Sequence, residues 1–331
     1  MQTLLHEDLT TRHSLAAPAT ARELVLIEDA DEWRTAQVDD YILGGGSNII
    51  FRDYVKTRLL CPQYGGKKII NEDADAIFLQ VQAGERWHDI VAYCASEGWY
   101  GAENLALIPG SAGAAPVQNI GAYGVELQTL LHSVRVYDRI SRQFLDLAAT
   151  DCGFAYRYSH FKDKWRQYII TALTLRLNKH GSVNASYPGL REQQEQLEQP
   201  QDIFVAVCHL RRSRLPDPAI LPNAGSFFHN PIISTSQFAA LQAQYPQIPH
   251  YLAAEGIKIP AAWCIEQCGF KGINDGKVGI YAHHALVLIN HGGSGKEILA
   301  FAARIQAEVF ARFRIKLAIE PTVMGEDDAS T

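Results

Sequence analysis

Residues 108–126, Ile-Pro-Gly-Ser-Ala-Gly-Ala-Ala-Pro-Val-Gln-Asn-Ile-Gly-Ala-Tyr-Gly-Val-Glu, constrain the fold of this chain more than any other stretch. Small residues, prolines and amides fill the run, and its one charge, Glu126, stands at the end. Glycine tolerates positive φ and lets backbone come close to a neighbour. Successive exposed N–H groups in such a loop make a concavity that accepts anions. A second run, Gly44-Gly45-Gly46-Ser47-Asn48, follows the apolar Tyr41-Ile42-Leu43. Two small-residue loops on one chain point to an extended phosphate-bearing ligand held mostly by main chain, for which a dinucleotide cofactor is the natural candidate. The Gly44 run lacks the Gly-x-Gly-x-x-Gly spacing and downstream acid of a Rossmann site, so it does not read as NAD-binding.

At 331 residues the chain exceeds one comfortable core, and more than one domain is expected. A formal net charge of −6 argues against a nucleic-acid binder, which is usually basic. No apolar run reaches the roughly 18 residues of a membrane span, and Met1–Asp8 has neither the basic start nor the apolar middle of a secretory leader. A cytoplasmic monomer that touches neither membrane nor nucleic acid is the expectation, with its six cysteines as reduced thiols.

Strands are expected at Glu23–Glu28, Asp40–Ile50, Arg58–Pro62 and Ala76–Ala83, the last alternating through Ile77, Leu79 and Val81. A short helix is read at Asp31–Gln37 and a longer one at Arg86–Glu97, closed by Gly98. Val134–Asp138, Phe144–Leu147 and Tyr168–Leu177 read as strands, the third with alternation at Ile169, Thr171, Leu173 and Leu175. The Gln-rich residues 188–201 read either as low complexity or as a surface helix anchored by Leu190 and Leu197, and Asp202–Arg212 reads as a helix. Leu215-Pro216-Asp217-Pro218 marks a boundary, since two prolines cannot sit inside a regular element. Beyond it come a helix at Ala261–Cys268, a strand or strand pair at Val278–Asn290, and a helix Lys296–Phe313 capped by Ser294, with Ile298, Ala302, Ile305, Val309 and Phe313 on one face. A last strand is read at Leu317–Pro321, followed by a disordered tail at Gly325–Thr331.

Gly-Gly-Gly-Ser-Asn at 44–48, Glu-Asn-Leu-Ala-Leu-Ile-Pro-Gly at 103–110 and Gln-Asn-Ile-Gly-Ala-Tyr-Gly at 118–124 occur in order with three more motifs. These are Tyr156-Arg157-Tyr158-Ser159-His160-Phe161-Lys162, Asn223-Ala224-Gly225-Ser226-Phe227-Phe228-His229-Asn230-Pro231 and Ile319-Glu320-Pro321. Together the set resembles the UDP-N-acetylenolpyruvoylglucosamine reductases, from about Thr10 to Pro321. The resemblance implies an α+β protein: an FAD-binding fold of the vanillyl-alcohol oxidase type followed by a smaller substrate-binding domain. Its division would place a first FAD subdomain over residues 1–66, with a strand near 315–331 returning to it, and a second over 67–214 with an inserted loop near 180–200. The substrate-binding domain would cover 215–331. The activity implied is reduction of the enolpyruvyl ether of UDP-N-acetylglucosamine to UDP-N-acetylmuramic acid for the bacterial cell wall, with non-covalent FAD and with NADPH as reductant visiting the substrate site.

That chemistry needs groups that stabilise an enolate-like charge and an acid that protonates carbon. The resemblance assigns Arg157 to the substrate carboxylate, Glu320, protonated, to the same developing charge, and Ser226 to proton delivery. Taken singly, each has a plain structural reading: a salt-bridge arginine, a turn serine, a strand-ending glutamate. For FAD the implied contacts are Gly45, Gly46, Ser47 and Asn48, with Ser111, Gly113, Asn119, Ile120, Gly121 and Tyr123 from the long loop. For the nucleotide-sugar they are Tyr187, Arg214, Asn230 and His284, with Tyr187 in the segment marking the longer, type I branch.

Two of these depart from the family pattern. Arg214 stands where lysine is usual, and the two are not interchangeable. His283-His284 stands where amides are usual; neighbours on a strand would face opposite ways, which disfavours a metal pair. Arg211 and Arg212 read as the solvated basic end of a helix, and Cys264 and Cys268 as thiols buried by theirs; no metal site is expected. The alternatives are an FAD-dependent sugar or lactone oxidase of the same superfamily, or a non-catalytic flavin or nucleotide-sugar binding relative. Neither has reason to carry Arg157, Ser226 and Glu320 together.

Overall fold

The computed structural model describes residues 1–253 and 255–326. The chain forms two compact units, each assembled from separated segments. The first comprises residues 1–6, 23–45 and 57–213; the second comprises 7–22, 46–56 and 214–331.

The first unit is built on an antiparallel sheet of five strands, in the order Gln143–Ala148, Leu131–Asp138, Tyr168–Asn178, Ala76–Gln82, Lys67–Glu72. Ile77, Leu79 and Val81 enter its core as their alternation predicts, while Phe78 and Gln80 stay half-buried. Tyr168–Asn178 differs from expectation. Ile169 through Leu175 are buried without a break, because this central strand is covered on both faces. The helices Trp87–Ser96 and Pro200–Arg214 supply Trp87, Ile90, Val91, Ile203 and Val207 to the same core. Gly98, at φ 73°, ends the first of them as expected.

A smaller parallel set pairs Leu24–Ile27 with Leu59–Pro62 and the latter with Tyr41–Ile42. Its core holds Val25, Ile27, Trp33 and Leu60, and the Trp33 indole donates to the Tyr64 hydroxyl at 2.7 Å. The continuous strand expected at Asp40–Ile50 is broken in two by its glycines, into Tyr41–Ile42 and Ile49–Phe51. The Gln-rich stretch is neither low complexity nor a full surface helix. Leu190 and Leu197 are buried and pin a single six-residue 3-10 segment, Arg191–Gln196, between them.

The second unit packs helix Gly295–Phe313 against a three-stranded antiparallel sheet of Asn223–Ser226, Val287–Asn290 and Val278–Ile280. Ser294 and Glu297 form the reciprocal cap that satisfies two of the helix's orphan N–H groups. Ile298, Ala302, Ile305, Val309 and Phe313 are all buried, as their spacing requires. Each of the four larger side chains stabilises by about 1.5–3 kcal/mol when fully buried, and the Ala302 methyl by less. Asn290 ties the sheet to the N-terminal segment of this unit: its amide donates to Leu15 O at 2.7 Å and Gly293 O at 3.0 Å, and its oxygen accepts from Gly293 N at 2.7 Å.

Two readings are corrected here. The last strand is Thr322–Met324, parallel to Ile49–Phe51, rather than Leu317–Pro321. Pro321 has no N–H to give a ladder, so regular pairing begins after it, with Thr322 N donating to Asn48 O at 3.0 Å. Gly325 and Glu326 continue this segment, Glu326 bridging Tyr54; the rest of the tail lies outside the described residues. His283 and His284 occupy the turn between Val278–Ile280 and Val287–Asn290, so the opposite-face argument for a strand does not apply.

Candidate functional site

In the first unit the two small-residue loops lie against each other. A Cβ on Gly44 would stand 2.7 Å from Ser111 Oγ, and one on Gly45 would stand 2.8 Å from Gly110 Cα. A Cβ on Gly113 would meet Ala83 Cβ at 2.6 Å. These positions admit no side chain, so main chain lines the loops, which is what a phosphate-bearing cofactor held by backbone requires. Ser111 is buried and sits at the start of the 3-10 turn Ala112–Ala114.

The long loop ends in a two-residue hairpin, Gly121–Ala122 paired with Val125–Glu126. Tyr123 and Gly124 occupy its turn at φ 50° and 83°. Positive φ at both central positions matches the strand twist, yet an aromatic residue pays for it in strain. The Tyr123 ring lies edge-on to the Tyr187 ring, 4.9 Å between centroids. Asn119, buried and at φ 45°, braces the loop: its amide donates to Glu126 Oε2 at 2.9 Å and Ala155 O at 3.1 Å, and its oxygen accepts from Gln128 N at 3.0 Å. The neighbouring Ile120 is buried.

Ala155 pairs with Tyr158 across a tight turn that holds Arg157 at φ 55°. The half-buried Arg157 guanidinium reaches Gly121 O at 3.5 Å. The first unit therefore gathers Asn119, Gly121, Tyr123, Arg157 and Tyr187. It adds Arg211, from the helix Pro200–Arg214, which burial holds below the ordinary arginine range and on which Tyr123 and Arg157 act electrostatically. The solvated-helix-end reading holds for the exposed Arg212 and fails for the half-buried Arg211.

In the second unit Gly46 adopts φ 62°, and a Cβ there would overlap the Arg12 carbonyl. Its carbonyl accepts from Ser14 N at 3.0 Å, while the Ser14 hydroxyl contacts Ser47 O at 3.4 Å. Asn48 joins the pairing with Thr322 already described.

Ser226 ends the strand Asn223–Ser226, half-buried and opposite Val287. Glu320 is brought beside it by backbone pairing: Glu320 N donates to Phe227 O at 2.9 Å and His229 N to Ala318 O at 2.9 Å. The Glu320 side chain is 9% exposed, with the His229 ring nitrogen 3.6 Å away. Asn230 uses its oxygen to accept from Ala261 N at 2.9 Å, where helix Ala261–Gln267 begins. Arg214 is exposed. His284 accepts from Leu286 N at 3.2 Å, and burial, with Arg214 and Lys271, holds it below the usual histidine range. Without a ligand, His284 therefore favours its neutral form near pH 7. Cys264 is buried, its thiol pushed up to about 12, and Cys268 is half-buried.

The description "UDP-N-acetylenolpyruvoylglucosamine reductase, C-terminal domain" fits residues 217–324, and "FAD binding domain" fits residues 16–140. A UDP-N-acetylenolpyruvoylglucosamine reductase of Dechloromonas aromatica is 42% identical over 328 residues, covering 95% of this chain and 97% of the relative. The chain belongs to the UDP-N-acetylenolpyruvoylglucosamine reductase family. Another reductase of this name, from Cupriavidus pinatubonensis, is 44% identical over 288 residues, covering 86% of this chain and 85% of its own. A solved UDP-N-acetylenolpyruvylglucosamine reductase from Thermus caldophilus superposes with a TM-score of 0.68 over 98% of both chains at 23% identity, a likeness of fold.

Within this family fold, Arg211, read in the sequence as part of a solvated helix end, is half-buried instead. Arg211 falls one helical turn beyond the buried Val207 and Cys208, and that spacing on a helix was the available signal. The strain at Tyr123 and Arg157 had no sequence signal, since neither residue type favours positive φ.

Proposed function

We propose that this chain uses NADPH to reduce the enolpyruvyl ether of UDP-N-acetylglucosamine enolpyruvate, giving UDP-N-acetylmuramic acid for peptidoglycan synthesis. FAD, when bound, supplies the hydride carrier between NADPH and the substrate methylene carbon. In this reading the glycine loops and the 111–123 segment hold the cofactor, and residues 215–331 form the substrate-binding domain.

The chain's own residues handle the charge and the proton. Arg157 offers paired donors to the substrate carboxylate and stabilises it as negative charge develops. Glu320, in its protonated form, donates to the same oxygens. Ser226 gives its hydroxyl proton to the adjacent carbon. Tyr187 packs on Tyr123 and covers the nucleotide-sugar, while Asn230 turns its amide donors to the ligand because its oxygen is already engaged. Arg214 supplies positive charge for the diphosphate, and His284 contributes a hydrogen bond.

The observation that carries this reading is the antiparallel pairing of Glu320 with Phe227, which sets the assigned acid and the assigned proton donor on adjacent backbone. Ser226→Ala tests it. The variant should bind FAD and still be reduced by NADPH, yet turn over the enolpyruvyl substrate at least about 100-fold more slowly. Turnover at the parent rate would remove Ser226 from proton delivery.

A further inference from the structure

A buried amide joins the loop assigned to the cofactor to the inserted segment assigned to the substrate. Asn104 lies in the 3-10 turn Glu103–Leu105 and is completely enclosed. Its side-chain nitrogen donates to Tyr123 O at 2.9 Å and to Asn184 O at 2.9 Å. An amide nitrogen carries two donors, and both are used. Two facing carbonyls also fix which end of the amide is nitrogen. The first acceptor is the carbonyl of the residue held at φ 50° in the hairpin turn. The second belongs to the segment that leads into Tyr187. A parallel link, Asn184 Nδ2 to Gly124 O, is 3.5 Å long, at the limit of a hydrogen bond, so Asn104 carries the connection.

From Asn184 onward the segment is held by its own turns. Asn184 Oδ1 accepts from Ser186 N at 3.1 Å and from Ser186 Oγ at 2.6 Å, an Asx turn. Tyr187 O accepts from Leu190 N at 3.0 Å and from Arg191 N at 3.1 Å, and Ala185 and Leu190 are buried. The place of the Tyr187 ring, edge-on to Tyr123, therefore follows from where Asn184 is held. The other end of the amide shows that stability is not its whole purpose. Asn104 Oδ1 is buried without a donor among the described residues. A buried acceptor left unmade costs free energy, so an amide serving the fold alone would have both ends bonded. What this placement achieves is a fixed spacing between two segments.

We propose that Asn104 is a positioning residue for substrate binding: it holds the inserted segment against the Tyr123 turn, so that the Tyr187 ring is in place before the nucleotide-sugar arrives. This inference rests on the reductase reading above and on its assignment of Tyr187 to the substrate. Ordering a segment in advance removes that cost from the binding step. Affinity for the substrate is thus set in part by a side chain too enclosed to touch it.

Wild type, Asn104→Ser, Tyr187→Ala and the double variant are compared as FAD-loaded protein. The Kd for UDP-N-acetylglucosamine enolpyruvate is read from the perturbation of the flavin absorbance, without NADPH. The reoxidation rate of reduced flavin at saturating substrate is read by stopped flow. Asn104→Ser should raise Kd at least about fivefold, as loss of one hydrogen bond to the segment implies. It should leave the saturating rate within about twofold, because positioning before binding acts on affinity. In the Tyr187→Ala background the same change should leave Kd where it was. A role in the fold alone would lower the melting temperature without making the affinity loss depend on Tyr187. Asn184→Ala is a second probe, at a half-buried position where no core is opened, and it too should raise Kd only when Tyr187 is present. A rise in Kd that persists without Tyr187 would overturn this proposal alone. So would wild-type affinity in both Asn104→Ser and Asn184→Ala while Tyr187→Ala binds weakly. Tyr187→Ala that binds as wild type does would remove the Tyr187 assignment and the proposal with it. Wild-type protein that fails to bind the enolpyruvyl ligand would refute the reductase reading itself.

Discussion

Gly45→Ala separates the need for space from the need for unusual backbone. Gly45 is absent from the positive-φ residues, so alanine suits its conformation, but the new Cβ would sit 2.8 Å from Gly110 Cα. Ordinary contact begins near 3.4 Å, and the opposing atom is backbone, so the two loops must part by at least about 0.6 Å. Overpacking of this kind costs about 1–3 kcal/mol. Gly98→Ala is the matched control. Its φ is 73° and no atom lies within 4 Å of the added methyl, so it incurs only left-handed strain, about 1–2 kcal/mol. The two variants should therefore melt a few degrees below wild type by similar amounts. Only Gly45→Ala should lose flavin, because only there is the cradle spread. FAD per protein after desalting, read from the flavin absorbance beside a thermal melt, distinguishes them. Full flavin occupancy in Gly45→Ala, or equal loss in both variants, would refute the argument from close approach.

Asn290→Ala should destabilise by about 3–5 kcal/mol, because it leaves Leu15 O and both Gly293 backbone groups without their buried partner. Denaturant unfolding measures this, and a loss under about 1 kcal/mol would mean that water replaces the amide. His13, His88 and His284 are all held below the usual histidine range, first by burial. The folded chain thus binds fewer protons than the unfolded one, and stability present above pH 6.5 is lost as pH falls below it. Melting temperature should drop between pH 7.5 and 5.5, and His13→Gln should flatten the drop; a wild-type melt independent of pH over this window would contradict the sign.

Much of the scaffold was legible because burial and periodicity coincide. Helix Gly295–Phe313 shows its cap, its apolar face and its end in the sequence, and Ala76–Gln82 shows which face is buried. Strands without a buried face were not legible: Lys67–Glu72 is exposed throughout, and Gln2–Asp8 nearly so, so neither alternates. Helix Thr235–Gln244 escaped because it buries only Phe238 and Leu241, although Ser234 marks its start by accepting from Gln237 N. The segment-by-segment division of the two units was not read, although the family resemblance did bring a strand near 315–331 back to residues 1–66. That division depends on pairing between Ile49–Phe51 and Thr322–Met324, contacts some 270 residues apart that no local pattern encodes. The motifs singled out Arg157, Ser226 and Glu320 one by one, whereas the half-burial of Arg211, next to the exposed Arg212, needed the packed helix to show it.

The most direct test of the account is anaerobic stopped-flow spectroscopy of the FAD-loaded protein. NADPH first bleaches the visible flavin band, and UDP-N-acetylglucosamine enolpyruvate is then added without oxygen. The account predicts rapid return of the band, with one UDP-N-acetylmuramic acid formed per flavin reoxidised. A band that stays bleached with this substrate, and returns only when oxygen is admitted, would contradict it and favour an oxidase.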